Sequence, residues 1–297
     1  MVKDKKIFIT GGLGFIGFNA VLHFCQNNRV CVVDDCSRVG VVKNIEKLEK
    51  LNVEIHQVDI SNFKELRNVF YSFHPDIVIH LAAQVAVTLS LDNPYRDFQS
   101  NFQGSFNLLE LARTSQNKTI MLYASTNKVY GGKQQKTKLK NGRYALSNNE
   151  KGYSEEKQLS FETPYGCSKG AADQYFIDYA YSYQVPTVVF RQSCIYGPYQ
   201  FGVEDQGWVA WFALRSVFEQ PITIFGDGNQ VRDVLYIDDL IDLYEKTIQN
   251  IDSVKGQAFN IGGGPSNTLS LNELVSLLNE REKKPLEVKY DDWRLGD

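Results

Sequence analysis

Three glycines spaced three apart, Gly11, Gly14 and Gly17, follow the short apolar run Lys6 to Thr10 and precede Phe18 to Cys25, which reads as a helix. Nothing else in the chain limits its fold as strongly. In a strand–turn–helix unit such glycines permit a tight turn, close approach of backbone to a pyrophosphate, and close packing of helix on strand. The helix N-terminus then presents unpaired N–H groups and a partial positive charge to the phosphates. The next run, Arg29 to Val33, ends in Asp34, about twenty residues on, where a carboxylate can hold the hydroxyls of an adenosine ribose. A carboxylate there repels a 2′-phosphate, so NAD is favoured over NADP. Arg38 argues the other way, since an arginine near that strand end can accept the extra phosphate. Asp34-Asp35 also has the plainer reading of an acidic turn. Phe15, Ile16 and Ser37 complete the candidate cofactor set on this side. Asp59 and Ile60, after the run Val53 to Val58, are candidates for the adenine, although Ser61 beside them equally allows a helix N-cap.

Strand-like segments at 6–10, 29–33, 53–58, 76–82, 119–125 and 187–191 alternate with helical stretches. That alternation predicts an α/β fold built on a doubly wound parallel sheet. Runs such as Ile77-Val78-Ile79 and Thr187-Val188-Val189-Phe190 suit strands covered on both faces. Ligands in such sheets lie at the carboxyl ends of the strands, here Thr10, Asp34, Asp59, Ala82, Thr126 and the segment from Arg191 onward. Residues 132–161 break the rhythm with a polar, basic excursion, read as a surface insertion or as a flap over the substrate. From about residue 197 the alternation weakens. The sequence therefore divides into a dinucleotide-binding part, 1–196, and an interleaved substrate-binding lobe, 197–297. Phe218 to Phe225 and Val254 to Asn260 are expected in that lobe, and Tyr236 to Gln249 reads as a helix with an acidic start.

At 297 residues and 43% hydrophobic content the chain has material for one large or two intimate domains. A formal charge of −3 gives no general attraction for nucleic acid or an anionic membrane. Cys25, Cys31, Cys36, Cys167 and Cys194 show no C-x-x-C spacing and read as small core residues in a reducing cytosol. His23, His56, His74 and His80 lack metal-ligand spacing, so no metal is expected. The opening residues Met1 to Lys6 lead into a strand, not a signal peptide, and no run reaches membrane-span length; a cytoplasmic protein is expected.

Downstream, Tyr165 and Lys169 stand four apart, so a helix places them on one face. A free tyrosine titrates near ~10. A neighbouring ammonium favours its phenolate, making it a usable base. Tyr-x-x-x-Lys arises often by chance, but here Ala124-Ser125-Thr126 ends an apolar strand between the glycine turn and this pair.

With these motifs in order, the chain resembles the extended short-chain dehydrogenase/reductase family of NAD-dependent nucleotide-sugar epimerases and dehydratases. The resemblance is carried by T-G-G-L-G-F-I-G at 10–17, L-A-A at 81–83, Asn101, S-T-N-K-V-Y-G at 125–131, Y-G-C-S-K at 165–169 and G-D-G-N-Q-V-R-D-V-L-Y-I-D-D from 226 to 239. It implies a Rossmann-type sheet with a smaller C-terminal substrate lobe, NAD as cofactor, and Thr126, Tyr165 and Lys169 as the catalytic set. Ala82, Gln84 and Asn101 join the cofactor side by the same resemblance. Ser90, Asn127, Cys194, Gln206, Trp208, Arg232 and Arg294 are implied on the nucleotide-sugar side. Arg232 can bond a diphosphate bidentately, or form a structural ion pair with Asp233 or Asp238.

Three stretches, A-A-Q-V-A-V-T at 82–88, P-Y-G-C-S-K-G-A-A-D-Q-Y at 164–175 and the run from Ser193 to Phe212, resemble members that invert C2 of a CDP-linked dideoxyhexose. Inversion at C4 of another nucleotide sugar, or reduction of one, would use the same cofactor residues. The family's dehydratases carry Asp-Glu directly after the catalytic threonine, where this chain has Asn127-Lys128, so the resemblance implies an epimerase. It also implies a homo-oligomer, dimer or tetramer, joined through helices near 105–115 and 168–183. Two departures stand out: Cys194 where many relatives carry Asn, and Leu295 where a proline is usual. Relatives usually continue beyond the position of Asp297, so a truncated C-terminal lobe is expected.

Overall fold

Lys6–Thr10 (β1) sends alternate side chains to opposite faces, Ile7 and Ile9 into one buried cluster and Phe8 into another. A strand that is apolar on both faces must be sandwiched. In the computed structural model, which describes residues 1–38, 40–132, 136–147, 152–281 and 284–294, β1 lies inside a seven-stranded sheet. Arg29–Asp34 (β2) and Glu54–Gln57 (β3) extend the sheet on one side of β1; Ile77–His80 (β4), Ile120–Thr126 (β5), Thr187–Gln192 and Gln257–Ile261 extend it on the other. Every pairing in this sheet is parallel. The order reverses between β1 and β4, which opens a crevice at their carboxyl ends.

Helix Phe15–Phe24 (α1) and helix Ile237–Gln249 cover one face, where Phe18, Leu240 and Tyr244 are buried against Ile7, Ile9 and Val32. Helices Phe63–Phe73, Gly104–Thr114 and Thr163–Ser182 cover the other, where Phe8, Phe70 and Phe176 are fully buried. Each such side chain contributes roughly 1.5–3 kcal/mol relative to exposure. α1 begins three residues before the apolar run that announced it, because Gly14 is extended and acts as its N-cap, so Phe15, Ile16 and Gly17 form the first turn.

A smaller lobe is assembled from strands Ile222–Phe225 and Val288–Asp291, from Cys194–Tyr196, Val231–Tyr236 and Thr268–Ser270, and from helices Trp208–Val217 and Leu271–Asn279. Its own core joins Phe212, Ile222, Ile224 and Leu274. The excursion at 132–161 contains a hairpin, Thr137–Lys140 with Arg143–Leu146, seated on this lobe: Tyr144 Oη donates to Asp227 at 2.7 Å and Arg143 donates to Thr268 Oγ1 at 3.1 Å. Residues 133–135 and 148–151 of that excursion lie outside the described residues.

The expectation for Val254 to Asn260 needs correction. Gln257–Ile261 is the edge strand of the large sheet, paired along its whole length with Thr187–Gln192. Helix Ile237–Gln249, with Asp238 and Asp239 in its first turn, likewise packs on the large sheet. Both follow lobe segments in sequence, so the two parts interleave. Among the described residues no helix is long and apolar enough to cross a membrane.

The turn itself tolerates no added atoms. A Cβ on Gly17 would lie 2.1 Å from the Gly11 carbonyl oxygen and 2.6 Å from Gly12 Cα. Gly17→Ala is therefore expected to destabilise the chain by about 2 kcal/mol or more, read as a lowered urea midpoint with unchanged slope.

Candidate active site

Gly11 follows β1 with φ +69°, and a Cβ there would meet the Ala82 backbone nitrogen at 2.7 Å. The first strand end and the loop after β4 are thus in backbone-to-backbone contact. Gly14, by contrast, would meet only the Gly11 carbonyl, at 3.3 Å, so the turn is open on that side. An elongated phosphate can approach these N–H groups, and α1 aims its positive end at the same place.

Asp34 closes β2 with its carboxylate accepting from Leu13 N at 3.1 Å and Cys36 N at 2.9 Å. Burial pushes this carboxyl up, while the two backbone N–H groups pull it down. Arg38, exposed on the surface beside Asp34, donates to Gln206 Oε1. Gln206, assigned above to the substrate side, therefore reaches the cofactor side of the turn. A small cavity between Gly14, Phe15, Arg38, Gln200 and Gln206 marks where the two segments meet.

Ser37 is folded back on Asp35, its hydroxyl 2.6 Å from that carboxylate. Asp59 is bound by Arg96, which spans to Asp35 as well, at 2.6 and 2.9 Å. Burial raises the Asp59 carboxyl, but the bonds from Arg96 and the Ser61 backbone outweigh it and hold the group below its ordinary range. Arg96 is absent from the sequence-based candidates; a lone arginine in a short helix gives no sequence signal. Ile60 is buried and packs against Gly104.

Thr126 ends β5 close to Tyr165, near enough for its hydroxyl to pull the phenol's pKa down. Tyr165 and Lys169 share a face of helix Thr163–Ser182 and both are buried. The Lys169 ammonium reaches past Tyr165 toward the sheet, donating to the Ala124 carbonyl at 2.5 Å and standing 4.3 Å over the Tyr123 ring. Burial pushes the Tyr165 phenol up to about 12; the Thr126 hydroxyl opposes this and the Asp97 carboxylate adds to it. Burial also pulls Lys169 down to about 7, against the attraction of Asp173 and Asp97. In this structure burial is the largest influence on both groups.

Ala82 sits in the loop after β4. Gln84 and Asn101 clamp one another: Gln84 N donates to Asn101 Oδ1 at 2.8 Å, and Asn101 Nδ2 donates to Gln84 O at 2.9 Å. Ser90 is buried with its hydroxyl bonded to the Val87 carbonyl at 2.6 Å, which turns it into its own helix.

On the lobe side, the Cys194 thiol lies among Arg232, the Trp208 indole and Lys128. Burial pushes it up, and those three neighbours pull it down. Asn127 lies beside Thr126, its side-chain oxygen 3.5 Å from the threonine hydroxyl. Arg294 is bound to Asp205 at 2.8 Å and stacks 3.5 Å from the Phe225 ring, so it braces the segment that carries Gln206. Asp233, one alternative partner for Arg232, accepts from Gly263 and Gly264 N–H groups. Leu295 lies outside the described residues.

Two further groups carry no signal in the sequence. Arg191 and Asp173 form a buried bidentate pair, 2.9 and 3.0 Å, and Arg191 also donates to Tyr130 Oη, which in turn donates to Asn260. Cys31, Glu54 and His56 converge at the β2–β3 edge with ligand atoms within 4.8 Å of one another. Cross-strand pairing, not spacing along the chain, brings them together. Glu54 is bonded there by Arg29, and burial pushes the Cys31 thiol up to about 12, so this trio is not poised as a thiolate centre. Cys167, expected in the core, is exposed on its helix.

A crevice at the switch point, an open glycine turn, a buried carboxylate at the end of β2 and a Thr–Tyr–Lys set beside the end of β5 lie together at the carboxyl edge of one parallel sheet, where such folds bind dinucleotides. The profile of the NAD dependent epimerase/dehydratase family matches residues 7–262, and the chain belongs to that family. It is 45% identical over 283 residues to the CDP-paratose 2-epimerase of Salmonella typhi, covering 93% of this chain and 84% of that protein. It is 31% identical to the dTDP-glucose 4,6-dehydratase of Neisseria meningitidis serogroup B, across 97% of this chain and 80% of that one. Among solved structures, the UDP-glucose 4-epimerase of Thermus thermophilus, a complex with NAD, superposes with a TM-score of 0.81 at 28% identity, covering 98% and 88% of the two chains.

The residues present fit NAD: the turn is open where a pyrophosphate would lie, and Asp34 ends β2 beside the turn, where the adenosine ribose would lie. NAD is expected to bind at least about tenfold more tightly than NADP, because a 2′-phosphate would meet the Asp34 carboxylate. Calorimetric titration with each dinucleotide checks this, and equal affinities would assign the pocket to Arg38.

Proposed function

We propose that this chain is an NAD-dependent CDP-sugar 2-epimerase that converts CDP-paratose to CDP-tyvelose, inverting C2 of the 3,6-dideoxyhexose. The observation that carries this reading is the 45% identity to a CDP-paratose 2-epimerase across nearly the whole chain, combined with Asn127-Lys128 following Thr126. A dehydratase must eliminate water and needs an additional acid and base there. An amide and an ammonium supply neither a carboxylate base nor a carboxylic acid.

NAD, when bound, supplies a hydride acceptor that later returns the hydride, and a positively charged ring that favours a nearby phenolate. Tyr165 removes the proton of the C2 hydroxyl, and Thr126 hydrogen-bonds that same sugar oxygen and orients it. Lys169 contributes positive charge to the buried site and holds the strand end through the Ala124 carbonyl. Inversion requires the ketosugar to present its other face while the nucleotide stays anchored, and Arg232, Lys128 and the Trp208 indole line the lobe side suited to that anchoring. Tyr165 then returns a proton to the oxygen. Net redox change is zero, since the hydride leaves and returns.

In this reading residues 1–196 carry the cofactor and 197–297 the sugar nucleotide. The enzyme works in the cytoplasm on precursors of lipopolysaccharide O-antigen sugars, as a homo-oligomer. Support for the oligomer is the aromatic surface of the helices near 94–114 and 163–183, where Phe98, Tyr175, Tyr181 and Tyr183 are exposed.

Tyr165→Phe is expected to lower kcat by a factor on the order of 10²–10⁴ while leaving NAD affinity largely unchanged, because it removes the proton acceptor and leaves the glycine turn intact. Product from CDP-paratose formed in deuterated water, read by NMR, should retain hydrogen at C2, since a hydride carried on NAD does not exchange with solvent. Deuterium at C2 would require carbon deprotonation. No product from CDP-paratose, together with inversion at C4 of a UDP-hexose, would overturn the 2-epimerase assignment.

A further inference from the structure

Asp97 is fully buried beside the catalytic helix and has no part in the proton and hydride transfers. It belongs to the short helix Pro94–Phe98, which Asn93 caps by accepting from Arg96 N at 3.0 Å. The chain then makes a wide π-type turn, Gln99–Gln103, before helix Gly104–Thr114. Such turns occur where a side chain must be re-aimed within a helix, and this one points Asn101 back at Asp97. Three uncharged donors reach the Asp97 carboxylate: Ser168 Oγ at 2.5 Å, Asn101 Nδ2 at 3.0 Å and Gln84 Nε2 at 3.0 Å. Donors alone suit the ionised form, which can only accept. Ser168 immediately precedes Lys169, and Gln84 lies in the loop after β4.

We propose that Asp97 is a positioning residue of the catalytic site, fastening the loop 81–86 to helix Thr163–Ser182 and supplying a buried negative charge that faces Lys169. The other groups around the ammonium are few. Its own helix contributes Tyr165 and Asp173; β5 contributes the Tyr123 ring and the Ala124 carbonyl; β4 contributes His80. Burial and the nearby Lys169 hold His80 neutral. Arg191 largely satisfies Asp173 through its bidentate bond. Asp173 still exerts the larger pull on the ammonium, and Asp97 adds to it from a carboxylate whose donors are all neutral. The same charge raises the Tyr165 phenol. Removing it lowers the pKa of both groups, so the activity window moves toward acid.

The test is the pH profile of kcat for CDP-paratose epimerisation by the full chain loaded with NAD. Asp97→Asn keeps the shape and loses the charge; both limbs of the profile should move to lower pH by about one unit. Ser168→Ala keeps the charge and breaks one fastening bond; kcat should fall by on the order of tenfold through misplacement, with the limbs unmoved. Asp97→Glu should restore the parental limbs. If Asp97→Asn does not fold, Asp97→Ser asks the same question of charge with a smaller side chain. A uniform loss of rate with unmoved limbs in the uncharged variant would make Asp97 merely structural and overturn the proposal. The inference rests on the catalytic reading of Lys169. Lys169→Ala turning over like the parent would sink that reading itself, whereas an inactive Lys169→Ala beside an unshifted Asp97→Asn would sink only the role of Asp97.

Discussion

The contact between Gly11 and the backbone of Leu81-Ala82 is the constraint on which the rest of the site depends. β1 and β4 are neighbours in the sheet, and the chain leaves them in opposite directions. Their carboxyl ends can converge only if one of them carries no side chain, since even a Cβ on Gly11 would lie 2.7 Å from Ala82 N. The convergence sets the width of the crevice. It also brings the Thr10 hydroxyl within 2.7 Å of His80 Nδ1, whose other nitrogen lies 2.8 Å from Ser105 Oγ, a buried chain that ties β1 through β4 to helix Gly104–Thr114. With that spacing fixed, α1 can direct its N-terminus into the crevice and β5 can deliver Thr126 to its far side.

The catalytic side obeys a different constraint, the cost of burying charge. Lys169, Asp97, Asp173 and Arg191 are all nearly or fully buried within a few residues of one another in space. An unpaired charge in such surroundings is destabilising by several kcal/mol, whereas a fully bonded set can break even. Each carboxylate accordingly accepts several hydrogen bonds: Asp173 from Arg191 and Ser125, Asp97 from three amide or hydroxyl donors. The arrangement leaves Lys169 with a depressed pKa of about 7 and Tyr165 with an elevated one of about 12. A site of this kind resists ionisation of its base, so additional positive charge delivered next to Tyr165 has a large effect on it.

What the sequence revealed, and what it hid, follows from the range of the interactions. β1, β2 and the strands at 77–80, 120–126 and 187–192 are locally apolar on both faces, so their runs announce them without knowledge of their neighbours. Gln257–Ile261 is poorer in apolar content, with Gln257 and Asn260 in its five residues, and becomes a strand because Thr187–Gln192 offers an unpaired edge far away in sequence. The glycine turn and the Tyr165–Lys169 pair are legible because their spacing alone fixes their geometry. Direction is not: position i+4 places Lys169 on the same face as Tyr165, but only the sheet beneath determines that its ammonium bonds Ala124 O. Gln206 and Arg294 stand out in the sequence only through the family resemblance. Their partners, Arg38 and Asp205, emerge when the segment 200–207 folds over the glycine turn. Arg96 and Asp97 look like ordinary solvated helix residues in the sequence; burial of the second and the bridge from the first to Asp35 and Asp59 come from tertiary packing.

The fold of segment 198–207 over the cofactor side links recognition of the two ligands. Asn19 on α1 donates to Pro198 O at 3.0 Å, Tyr199 packs edge-on against Phe18 with ring centroids 4.8 Å apart, Phe201 covers Gly40, and Gln206 bonds Arg38. The same segment leads directly into Trp208 and is braced by Arg294 from the end of the described chain. A strap held at both ends in this way makes Arg38 a partner of the lobe as well as of Asp34. Its guanidinium is then engaged where a 2′-phosphate would otherwise recruit it, and freeing it would cost the bond to Gln206. With Asp34 at the ribose, as proposed, its carboxylate and the strap's hold on Arg38 would both disfavour a 2′-phosphate, so two independent features would discriminate in the same direction.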